Sequence, residues 1–183
     1  MLLAAALALR PDPAGGQSAV VVAASDLAPG VKLSSEHLRR EQRWTANLPD
    51  GAEHDVSALL GSTVAGPVRR GEVLTDARVL GSRLAELSVG PNARVVPLRL
   101  ADDAVLDVIR PGDVVDVLAV PGTPAGEAAG VRPLVVAASA VVVLVTAEPR
   151  AGEDRVVLVA LPAGAAAALA GASLAHNVTL AIH

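Results

Sequence analysis

The chain has no cysteine, no phenylalanine and no tyrosine, and its one aromatic residue of the Phe/Trp/Tyr set is Trp44. Without cysteine there is neither a disulfide framework nor thiol chemistry, a condition that an oxidising compartment permits without demanding. The scarcity of aromatics leaves few platforms for stacking on bases or sugars and few of the anchors that dominate interface hot spots. The core must therefore be assembled from Val, Leu, Ala and Ile in thin, closely spaced layers. An excess of one charge is missing too. Fifteen basic against 19 acidic residues give a net charge of -4, which is no footprint for nucleic acid.

No apolar run is long enough to cross a bilayer, which takes roughly 20 residues. The nearest approach is Met1 to Leu9 (MLLAAALAL), which ends at Arg10 and lacks the basic start of a signal peptide. Two readings stay open: a helix packed on the domain, or the outer end of a membrane helix from a truncated or misassigned start. We prefer the second. PDPAGGQS (Pro11 to Ser18) follows as a flexible spacer.

Catalytic signatures are absent as well. There is no phosphate-binding loop, dinucleotide fingerprint, His-Glu-x-x-His or Gly-x-Ser-x-Gly pattern. His37, His54, His176 and His183 show no close metal-ligand spacing, and His54-Asp55 reads as a surface pair. Asp102-Asp103 stands where a helix cap is expected. Asp113 is expected to close a turn, with Asp116 facing solvent or accepting backbone N–H groups. General acid-base work would need a cleft and a raised pKa. The chain reads as a non-enzyme, with no catalytic, cofactor or metal residues proposed.

What is present is apolar. Hydrophobic residues make up 52% of the 183, and mean hydropathy is +0.49, which argues against disorder and for one domain or two small ones. Val20 to Ala24 reads as a strand, followed by a turn at Leu27-Ala28-Pro29-Gly30 and a short helix from Ser34 or Ser35 to Leu38. Arg43 to Glu53 reads as a polar loop. Asp55 is placed to cap a helical turn, Val56 to Leu60, and Val64 to Val68 reads as another short strand. PGVKLS (Pro29 to Ser34) and RGEVLT (Arg70 to Thr75) echo each other: a Gly turn, a Leu to bury, then a hydroxyl to cap the next turn.

Gly81 to Pro91 reads as a junction to a second unit. There, Val95 to Leu100 is a strand whose Pro97 calls for an edge or bulge. A short helix from Asp102 or Asp103 to Ile109, a turn at Arg110 to Asp113 and a strand at Val114 to Val120 follow. Pro121 to Pro133 reads as a disordered Gly/Pro/Ala insert. Leu134 to Thr146, bent near Ala137 to Ser139, and Arg155 to Leu161 are strands joined by a turn at Glu148 to Asp154. Ala163 to Leu174 is a helix open to interruption at Gly171, and Val178 to Ile182 is a last strand. The fold class expected is mainly β with short helices, without a βαβ rhythm.

Two segments carry a family resemblance. VVVAASDLAPGVKLSSEHL (Val20 to Leu38) and LLGSTVAGPVRRGEVLTDARV (Leu59 to Val79) resemble the SAF domain, a β-clip module; Asp26-Leu27, Gly30, Leu38, Gly61, Gly71, Leu74 and Thr75 fit its pattern. VVPLRLADDAVLDVIRPGDVVDVLAV (Val95 to Val120), VVLVALPAGAAAALAGA (Val156 to Ala172) and VTLAI (Val178 to Ile182) look like the domain that follows SAF in CpaB/RcpC proteins of Flp (Tad) pilus assembly. The resemblance implies a leader and spacer over 1–18, a SAF unit over 19–80 and a second small, β-rich α+β unit over 81–183. It also implies a scaffold at the cell envelope, anchored by one N-terminal helix or secreted, with pilus-assembly or other envelope proteins, or peptidoglycan, as partners. The short leader and the ending at HNVTLAIH depart from the family pattern.

Candidate contact residues are Asp26, Gly30, Arg39, Arg40, Arg43 and Trp44, chosen for exposure near loops. Glu36 and Glu41 interrupt the arginines, so the bland account is a solvated face rather than an anion site. Trp44 is either a partner anchor or a cover for the open end of the β core. Two rivals stand beside the scaffold: a solitary carbohydrate- or peptidoglycan-binding module, and a fragment of a sugar-acid enzyme. A polar cleft gathering Asp113, Asp116 and a His would favour the latter.

Overall fold

A computed structural model describes residues 16–120, 132–146 and 155–183. The leader and most of the spacer, the insert except its last two residues, and the turn at Glu148 to Asp154 lie outside the described residues. The described architecture is mainly β, with two sheets and three hydrophobic clusters, one in the first unit and one on each face of the larger sheet.

The first unit starts with β1 (Gln17–Ala23), paired antiparallel with β2 (Leu38–Trp44) from Gln17 opposite Trp44 to Ala23 opposite Leu38. β2 overturns the expectation that Trp44 sits in a charged loop. A two-stranded ribbon buries little of its outer face, so LRREQRW can pair along its whole length while its long polar side chains stay exposed or half-buried. The loop expected from Arg43 begins only after Trp44, where Thr45–Asn47 makes a 3-10 turn. α1 (Val56–Leu59) starts as expected, with the Asp55 carboxylate accepting the Ser57 N–H at 3.0 Å.

The six-residue echo is part of a larger repeat. Leu27–Leu38 and Val68–Val79 form the same corner twice, 41 positions apart (Gly30 to Gly71). Gly30 N–H donates to Val64 O, and Gly71 N–H to Ala23 O, both at 2.8 Å. Leu33 and Leu74 donate to Ser62 and Val21, Ala24 and Ala65 to His37 and Arg78, each pair of bonds an image of the other. Leu27 and Val68, which correspond, bond each other in both directions. A pseudo-twofold axis therefore passes between them. Both glycines have φ of +83°, a left-handed value that glycine adopts without steric penalty. Leu33 and Leu74 are buried, and Ser34 and Thr75 each precede a three-residue 3-10 turn.

Symmetry also explains a second correction. Val64 to Val68 forms isolated bridges rather than a strand: Val64 pairs with Val79, and Val68 with Leu27. Gly66-Pro67 lies between them, and Pro has no N–H to continue a ladder.

Gly81 to Pro91 is more than a junction. Ser82–Val89 is a two-turn helix, α2, because Leu84, Ala85 and Val89 bring an apolar stripe onto the sheet of the second unit. That sheet is antiparallel throughout, with spatial order β3-β6-β5-β4-β7. Its strands are β3 (Ala93–Leu98), β4 (Val114–Val120), β5 (Leu134–Val145), β6 (Val157–Pro162) and β7 (Asn177–Ile182). Pro97 lies on the edge strand β3, as its missing donor requires. α3 (Ala163–Ala175) runs through Gly171 without a break and, with the 3-10 segment Asp103–Asp107, covers one face. Alternation sends Val142 and Val159 to that core and Val143 and Ala160 to the α2 side.

Candidate functional site

Strand alternation sorts the candidate residues before any side chain is considered. On β2, Arg39, Glu41 and Arg43 share one face, with Arg40, Gln42 and Trp44 on the other. Glu41 bridges its two neighbours, with Oε2 2.9 Å from Arg39 Nη2 and Oε1 2.8 Å from Arg43 Nη2. Val22 and Val20 stand directly across from Arg39 and Glu41 and are fully buried, so this charged triplet roofs apolar residues. Arg43 Nη2 also donates to Gly71 O at 3.4 Å. Arg40 pairs instead with Asp55, at 3.6 Å.

Asp26 and Gly30 stand at the corners. The Asp26 carboxylate accepts the Arg70 N–H and the Arg69 Nη1–H, each at 2.8 Å. The Arg70 N–H first, and the Arg69 guanidinium second, hold its carboxyl below the ordinary carboxylate range. Asp26 thus closes the second corner from the first one. Gly30 supplies a turn.

Trp44 is in none of the hydrophobic clusters. Trp44 is 47% exposed, at the lip of a groove of about 300 Å³ lined by Gln17, Glu41, Gln42, Arg43, Trp44, Asn47, Leu48 and Val73. Gln17 stands directly across the ribbon from Trp44. Asn47 and Leu48 arrive through the 3-10 turn after β2, which is tied back by Thr45 N–H to Gly16 O at 3.1 Å. Val73 arrives from the second corner, bridged to Val22. Sequence reasoning selected Arg43 and Trp44 but missed the other six. Their convergence depends on the β1–β2 register, and a hidden β2 conceals it.

The carboxylates of the second unit have structural roles. Asp102 accepts the Ala104 N–H, and Asp113 Oδ2 accepts the Arg110 N–H at 2.7 Å, closing its turn. Asp116 accepts the Ser139 N–H at 2.8 Å across a bulge where Ser139 has φ of +54°. His183 Nε2 lies 2.9 Å from the same Asp116 oxygen. His183 first, then the Ser139 N–H, lowers the Asp116 carboxyl, the opposite of the shift a general acid needs. Asp116 and a histidine do meet, while the Asp113 carboxylate bonds within its own turn.

Residues 18–80 match the SAF domain, so the first unit, with its repeated corner and its groove, is a SAF domain. No curated protein and no solved structure matches the chain. A SAF domain is consistent with a carbohydrate-binding or scaffold module.

Proposed function

We propose that this protein is a non-enzymatic scaffold of Flp/Tad-type pilus assembly, associated with the cell envelope and acting through protein or cell-wall contacts. The observation that carries the reading is the order of modules. A SAF domain at 18–80 leads through α2 directly into a sheet whose Pro111-Gly112-Asp113 turn and Val115-Asp116-Val117 strand carry the CpaB/RcpC resemblance. Support for a positional role comes from Asp55, Asp102, Asp113 and Asp116, each of which accepts a backbone N–H that closes a cap, a turn or a bulge. An anchor in the leader would hold both modules outside the cytoplasm. Among the described residues, no helix is long and apolar enough to span a membrane, so the anchor rests on the leader sequence alone.

The test is fractionation of native cells with protease added to intact cells or spheroplasts. The expected result is membrane association with the folded part accessible from outside. A cytosolic, protease-protected protein would sink the envelope reading. The second reading, a solitary SAF module that binds carbohydrate or peptidoglycan, is favoured by the exposure of Trp44 beside three amide side chains, Gln17, Gln42 and Asn47.

A further inference from the structure

From the groove at the open end of the β1–β2 ribbon we infer a saccharide subsite for an N-acetylated hexosamine, with Trp44 as its platform. The inference deepens the cell-wall side of the proposed function and rests on that reading for its biological setting, though not for its chemistry.

Three observations meet in one place. First, the position of Trp44 is informative because the cores are otherwise entirely aliphatic. A chain with one large aromatic gains most by burying it, yet Trp44 stays 47% exposed. Nearly half of its surface is open to solvent at the groove. Second, the polar lining is the kind that planar amides provide. Gln17, Gln42 and Asn47 offer both donors and acceptors, which suits hydroxyls and the N–H and C=O of an acetamido group. Third, Leu48 and Val73 give the groove an apolar portion, a place for the acetamido methyl that a simple hexose would leave unused. Charge argues for a sugar without strong anionic character. Arg43 pairs at 2.8 Å with Glu41, a carboxylate that Arg39 shares at 2.9 Å, so a phosphate or sulfate would have to compete with a carboxylate in contact. A volume of about 300 Å³ admits one or two rings and no more. One platform of that size implies weak binding, with Kd on the order of 1 mM for a short oligosaccharide.

Composition provides the probe. With no tyrosine and a single tryptophan, intrinsic fluorescence of the full chain reports the groove alone. The titrants are chitotetraose, the β-1,4-linked tetramer of N-acetylglucosamine, and cellotetraose, which has the same linkage without acetamido groups. A saturable change in Trp44 emission is expected with chitotetraose, and binding of cellotetraose roughly fivefold weaker or worse. Asn47→Ala and Gln42→Ala change exposed side chains and keep the fluorophore; each should weaken chitotetraose binding several-fold. Trp44→Ala, read by calorimetry after its thermal melt is shown to match wild type, should weaken it by roughly tenfold or more. No saturable change at chitotetraose concentrations up to about tenfold above the expected Kd would overturn the subsite, as would wild-type affinity in Trp44→Ala. Equal affinity for both tetramers would overturn the acetamido assignment. Because binding is read on purified protein, failure of the fractionation test leaves this result standing, and the reverse also holds.

Discussion

The two corners of the SAF domain share a backbone and differ in how they hold it. In the first, Pro29 precedes Gly30, and its ring fixes φ for the turn. In the second the corresponding residue is Arg70, which is not locked and has an N–H to satisfy. Asp26 supplies the partner, accepting that N–H at 2.8 Å. The position corresponding to Asp26 is Pro67, which offers no carboxylate, and Pro29 offers no donor to receive one. One turn is therefore set by covalent geometry and the other by a charged hydrogen bond. The comparison teaches that the fold constrains a glycine and a buried leucine at both corners, while the Thr75 hydroxyl makes no cap bond and the means of closing the turn is free to vary.

The strongest way to break this equivalence is through the leucines. Leu33 and Leu74 are 3% and 0% exposed and lie in the same core. Truncating either to Ala is expected to cost about 2–5 kcal/mol in chemical denaturation, with the two losses within about 1 kcal/mol of each other. A full loss at Leu74 with a negligible one at Leu33 would show that the corners match in shape but not in energetic weight. Next come the glycines. Gly30→Ala and Gly71→Ala place a Cβ at φ of +83°, where space is open but the backbone is not favourable. Each should cost about 1–2 kcal/mol, and Asn at either position should recover part of it. A neutral Gly30→Ala would mean that the Pro29 turn relaxes to another geometry.

The sequence carried the repeat only at its most constrained points. Gly, Leu and Ser/Thr at matching offsets were visible because each has a backbone or burial reason to be there. The surrounding bonds join backbone groups, which any residue can provide, so they left no trace in side-chain identity. β2 was hidden for a related reason: Arg39, Arg40, Glu41 and Arg43 look like a solvated loop, yet a ribbon with one roofed face tolerates them. α2 was hidden because a two-turn helix between Gly81 and Gly90 offers only a short apolar stripe. The strands β4 to β7, rich in Val and half-buried on alternating faces, were plain. The groove was legible through Arg43 and Trp44 alone, since its amides depend on a strand register.

The smallest effect separates the two ways of closing a corner. The Asp26 carboxyl is lowered from its ordinary value of 3.8, by the Arg70 N–H first and the Arg69 side chain second. A depressed folded-state value means the contribution is fully present above the ordinary value and lost as pH falls through the lowered one. Asp26→Asn keeps an acceptor for the Arg70 N–H and removes the charge. At neutral pH and low salt the variant should therefore melt slightly below wild type, and added salt should narrow the gap because the pair with Arg69 is exposed. Once the pH has fallen below that lowered value the two should melt together, because wild-type Asp26 is then protonated as well. Asp55 and Asp116 are lowered too, so both proteins lose stability in acid and only their difference isolates Asp26. Pro29→Ala acts on the other corner through backbone entropy and should show a gap that does not move with pH. If the Asp26→Asn gap is equally flat from neutral pH down to the acid limit of the folded state, charge contributes nothing to the second corner. The N–H acceptor alone would then do for Arg70 what the ring does for Pro29.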